Sequence, residues 1–85
     1  MIDKINKALQ KNKDQVEKLH KKEKQILETI QIFAARNAKK HDIFEVINYL
    51  PGYVRSLTDT YFEIKNIEKE NKKLEYFLNY SSETP

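Results

Sequence analysis

IDKINKALQKNKDQVEKLHKKEKQILETIQIF, residues 2–33, steps between hydrophobic positions by alternating threes and fours. Ile2, Ile5, Leu9, Asn12, Val16, Leu19, Glu23, Ile26, Ile30 and Phe33 occupy those steps, and eight of the ten are apolar. Such spacing lays one stripe along an α-helix, the a and d positions of a coiled coil. Neither Gly nor Pro interrupts the run, so it predicts one helix from about Asp3 to about Asn37. Asp3 suits the start as a cap. Arg36, Lys39, Lys40 and His41 suit the end, where positive charge faces the negative pole of the helix dipole.

Outward from this stretch, a turn is expected near residues 38–42. Asp42 and Glu45 have the spacing of a capping box with Asp42 as N-cap. Ile43, Val46, Ile47 and Leu50 then share one helical face, and a lone strand here would have no partner, so residues 43–50 read as a short helix. Pro51-Gly52 is the strongest punctuation in the chain. Proline lacks a backbone donor and disfavours helical geometry at Leu50, which predicts either a kink or a new helix with Pro51 in its first turn. Tyr53, Leu57, Thr60, Ile64, Ile67, Asn71, Leu74 and Leu78 resume the heptad, predicting helix to about Asn79. Residues 81–85, Ser-Ser-Glu-Thr-Pro, read as a disordered tail. The expectation is an all-α chain: one coiled-coil domain over residues 1–80, built as a long antiparallel hairpin with a short Pro-kinked middle helix.

The two halves match in length. Folding at residues 40–41 sets residue i near residue 81 − i. That brings Ile5 to Leu74 and Leu78, Val16 to Ile64, Ile26 to Val54 and Leu57, and Asn12 to Asn71. Two polar core positions in one layer would fix the register at some cost in stability. The expected seam is Ile5, Leu9, Val16, Leu19, Ile26, Ile30, Phe33, Leu57, Ile64, Ile67, Leu74 and Leu78. A parallel homodimer competes with this reading, because an Asn at an a position among Leu and Ile is also what parallel zippers use. Either way, two helices leave much of each apolar stripe wet, so completion by dimerisation into a four-helix bundle or by a partner is expected.

Composition bounds the function. The chain has 85 residues, enough for a single domain with a small core. There is no Cys, so there is neither a disulfide framework nor a thiolate metal site. No signal peptide or membrane span is legible, and a cytoplasmic location is expected. A catalytic role is not expected. There is no Gly-rich loop or HExxH spacing, and the two His residues lie in no recognisable constellation. His20 near Glu17 and Glu23 reads as a solvated position, and His41 near Asp42 and Glu45 as a helix-end charge. No cofactor is expected.

Two surface features remain. Lys4, Lys7, Lys11, Lys18 and Lys22 fall within about a quarter of the first helix's circumference, opposite its apolar stripe. They are candidates for phosphate contact in a nucleic-acid-binding protein, though no Arg accompanies them for base readout. Residues 1–42 carry eleven Lys/Arg against six Asp/Glu, a net +5, while residues 43–85 carry five against seven, a net −2. The second feature is a set of aromatics off the seam: Phe44, Tyr49, Phe62, Tyr76 and Tyr80. Large aromatics on a second face are enriched at interfaces. They predict a non-catalytic interaction module, an adaptor, regulator or inhibitor that binds a protein partner or itself. Glu63, Glu68, Glu70 and Glu75 beside them disfavour phosphate.

Overall fold

A computed structural model describes the backbone of residues 2–83 and the side chains of residues 2–80. Helix α1 spans Ile2–Lys40 and helix α2 spans Ile43–Glu83. Only His41 and Asp42 separate them. The two helices pack antiparallel into a rod of 68 × 15 × 14 Å. At about 1.5 Å per residue, each helix alone accounts for about 60 Å of that length. The hairpin expectation therefore holds for this chain.

The turn is compact because both helix ends are satisfied by local groups. His41 N–H donates to Ala38 O at 3.4 Å, and Asp42 N–H donates to Asn37 O at 3.1 Å. This pairing is the Schellman arrangement, with the residue after the helix in left-handed geometry. His41 takes that place at φ 55°. Asp42 then caps α2: Glu45 N–H donates to Asp42 Oδ1 at 3.1 Å, the backbone half of the expected capping box. The pivot lies at His41-Asp42, slightly past the expected one at residues 40–41.

Three boundaries differ from expectation. Residues 43–50 are the opening turns of α2, not a separate short helix, because α2 runs continuously through Pro51. Pro51 is exposed and its missing N–H leaves only one carbonyl, that of Ile47, without an intrahelical donor. At the other end α2 continues to Glu83, past Asn79; Thr84 and Pro85 of the expected tail lie outside the described residues. Asp3 sits inside the first turn of α1, where its carboxylate favours the dipole without being the N-cap.

The seam follows the heptads. Leu19, Ile64 and Ile67 form the buried apolar cluster, with Val16 packed against it. Thr60 is also buried and donates its hydroxyl to Ser56 O at 2.8 Å. The remaining expected seam residues are half-buried. Asn12 Nδ2 donates to Asn71 Oδ1 at 3.0 Å across the two helices. That bond is made only in the antiparallel register expected for the pair. Ile2, the first residue of the stripe, is instead exposed.

Candidate functional surface

The surface divides along the rod. From residue 26 to 58 the charged residues are Glu28, Arg36, Glu45, Arg55 and, at the turn, Lys39, Lys40 and Asp42, a net +1. This is the turn half. The remaining stem carries eight Lys and four Asp/Glu in residues 2–25, and four Lys and five Asp/Glu in residues 59–80, a net +3. The turn half also lacks a fully buried apolar residue; all three lie in the stem.

The five aromatic candidates are all exposed: Phe44, Tyr49, Phe62, Tyr76 and Tyr80. They do not form one patch. Phe44, Phe62 and Tyr80 are spaced by eighteen residues, about five helical turns, so they repeat on one side of α2 at intervals of about 27 Å. Tyr76 lies one turn from Tyr80 on the same side. Tyr49 points elsewhere. Its ring meets Phe33 edge-on at 6.3 Å, and Phe33 also meets Tyr53 at 5.4 Å. Tyr49 thus flanks the seam and is removed from the outer stripe.

Beside that stripe lies a second apolar line that the sequence reading assigns otherwise, placing Ile43 and Ile47 on one face with Val46 and Leu50, and Val54 beside Ile26. Ile43, Ile47, Val54 and Tyr61 are exposed along α2 at steps of four, seven and seven, which a helix places on one side. Leu27 of α1 shares a groove of about 460 Å³ with Leu57, Tyr61 and Phe62. Nearer the turn, Phe33, Asn37, His41, Ile43, Val46 and Leu50 line a notch of about 360 Å³. The signal was present in the spacing, but an off-heptad hydrophobic line carries no meaning until the first line is known to be occupied.

Asn37 at the base of the notch is 2% exposed. Its Nδ2 donates to Phe33 O at 2.9 Å, while Oδ1 has no partner among the described residues. Leaving a buried carbonyl unpaired costs about 1–3 kcal/mol. Asn37 continues the heptad one step past Phe33, which is why it faces α2.

The five candidate lysines, Lys4, Lys7, Lys11, Lys18 and Lys22, are all exposed on the outer side of α1. The structure brings none of them within ion-pair distance of a carboxylate among the described residues; His20 Nδ1 lies 2.9 Å from Glu23 Oε1 on the surface, within hydrogen-bond distance. Lys65 sits over the Tyr61 ring at 5.4 Å, close enough for a weak cation–π contact. Among the described residues no cluster of His, Asp or Glu could hold a metal ion, and no helix is long and apolar enough to cross a membrane. No family model, curated protein or solved structure matches this chain.

Proposed function

We propose that this chain is a non-catalytic interaction module, a small helical adaptor, regulator or inhibitor that acts by binding protein through α2. The observation behind this reading is the exposure of large apolar side chains on α2, among them Phe44 at 74% and Tyr76 at 67%. A monomeric soluble protein rarely leaves so long a stripe of aromatic and branched side chains in water unless something covers it. Aromatic anchors are also the residues that carry most interface energy. The reading includes a cytoplasmic setting and self-association. It also treats Pro51-Gly52 as a soft point at which α2 bends to meet its partner.

A second reading is supported by the lysine side of α1. Five exposed lysines, without carboxylate partners among the described residues, lie on one side of a rod and form a track that a phosphate backbone could follow. One experiment separates the two readings. Phe62→Ala with Tyr76→Ala should abolish capture of a protein partner, with helicity by circular dichroism nearly unchanged. Lys7→Gln, Lys11→Gln and Lys18→Gln together should leave that capture intact. If the lysine variant instead loses salt-dependent binding to a single-stranded oligonucleotide while the aromatic variant retains its partners, the nucleic-acid reading replaces the first.

A further inference from the structure

The turn half has an exposed flank that fits one particular occupant. The chain exposes 7201 Å². A compact monomer of 10.2 kDa exposes about 5,300 Å² by the scaling of surface with mass. The excess is about 1,900 Å², more than twice the roughly 800 Å² that one partner contributes to a standard interface. The hairpin thus has enough surplus surface for a stable dimer; part of its exposed apolar surface is the outer aromatic stripe of Phe44, Phe62, Tyr76 and Tyr80, and another part lies on the sparsely charged turn half. Ile43, Ile47, Val54 and Tyr61 run along α2 for about 27 Å. The grooves beside them receive Leu27, Ala34 and Ala38 from α1 on the same side.

We infer that the covering partner is a second copy of this chain, docked antiparallel so that only the two turn halves overlap. This rests on the reading of the chain as an interaction module and specifies one of its surfaces. Charge selects the orientation. Each stem carries a net +3, from twelve Lys against nine Asp/Glu in residues 2–25 and 59–80. Two hairpins lying side by side with their turns at the same end would run these positive stems along each other. A full-length antiparallel pair would press the apolar flank of one copy onto the Lys13, Lys65 and Lys72 side of the other, burying charge that exposed pairing does not offset. Overlapping the turn halves alone buries the apolar flank and sends the stems to opposite ends. A twofold axis near residue 52 then sets Ile43 of one copy against Tyr61 of the other. The outer aromatics Tyr76 and Tyr80 remain on the stems, away from the overlap.

The chain has no Cys, so single cysteines report the geometry directly. Ile43 and Tyr61 are exposed, and their replacement leaves the seam intact. Copies bearing Ile43→Cys mixed with copies bearing Tyr61→Cys should form the mixed disulfide under mild oxidation. Neither variant should link to itself efficiently. Sedimentation equilibrium from low to high micromolar concentration should show a species of twice the chain mass. Ile47→Lys with Val54→Lys should weaken that association by at least about a hundredfold without loss of helicity at low concentration. Self-linked Ile43→Cys as the dominant product overturns the antiparallel overlap. A monomer at every concentration, or a protein of different sequence occupying the flank of that monomer, overturns self-docking. Phe62 borders the Leu27 groove beside this flank, so Tyr76→Ala alone, on the stem outside the overlap, separates the two readings: loss of protein capture with the dimer intact bears on the wider reading and leaves self-docking standing.

Discussion

At the scale of single residues, the turn shows how a hairpin is closed without glycine. His41 adopts φ 55°, a region that costs an L-residue about 1–2 kcal/mol and costs Gly nothing sterically. Two backbone bonds to Ala38 and Asn37 and the Asp42 cap hold it there. His41→Gly should therefore raise hairpin stability by about 0.5–1 kcal/mol, because relief of the left-handed strain exceeds the added entropy of the unfolded chain. Thermal unfolding followed by circular dichroism at fixed concentration checks this; an unchanged or lowered midpoint would show that the imidazole makes a compensating contact. Sequence reasoning found the capping residue Asp42 and the Asn12–Asn71 pair, because both depend on short fixed spacings. It placed His41 as a charge at the helix end and left Asn37 outside the seam. Backbone geometry and burial at those two positions follow from where the chain reverses, which spacing locates only to within a residue or two.

At the scale of the elements, both helices follow from their heptads, and the seam residues read from sequence are the ones that face inward. At Pro51 the sequence leaves a continuing helix with a kink and a new helix as alternatives, and α2 runs on through the proline. A proline signals a break by its local chemistry, whereas here the helix on either side presents the same face to α1, and packing overrides the break. Tyr53, Leu57, Thr60 and Ile64 continue the face begun by Val46 and Leu50. The exposed side of α2 at Pro51 gives water access to the carbonyl that proline leaves unpaired. Gly52 has nothing within 4 Å of where a Cβ would stand and no positive φ. Gly52→Ala should then stabilise α2 by about 0.5–1 kcal/mol from helix propensity alone. Pro51→Ala should add more, up to about 3 kcal/mol. Urea midpoints at unchanged slope would record both gains. A loss of stability in either variant would mean that the Pro-Gly pair enforces a bend the packing depends on. If the soft point serves docking, the Pro51→Ala protein should also dissociate its partner faster or bind it more weakly than the parent does.

At the scale of the whole molecule, burial is graded along the rod, and the gradient has a dynamic consequence. Leu19, Thr60, Ile64 and Ile67 are buried in the stem, and the Asn12–Asn71 bond lies one to two turns beyond them. The turn half has Phe33 between Tyr49 and Tyr53, a buried but half-satisfied Asn37, half-buried Ile26, Ile30, Val46, Leu50 and Leu57, and no fully buried apolar side chain. Helices of isolated chains are marginal, and tertiary burial supplies most of their stability. Local opening should therefore be cheapest where burial is least. In hydrogen exchange at low micromolar concentration, amides of residues 12–23 and 60–71 should be the slowest, and those of residues 43–56 should exchange markedly faster despite being helical. Raising the concentration into the range where two copies associate should slow residues 43–61 and leave the stem amides nearly unchanged, because mass action protects only what the second copy covers. Uniform protection along both helices at low concentration would show that the turn half is held by its own contacts. The apolar flank would then be a tolerated exposure, and the force argued to bring two hairpins together would be absent.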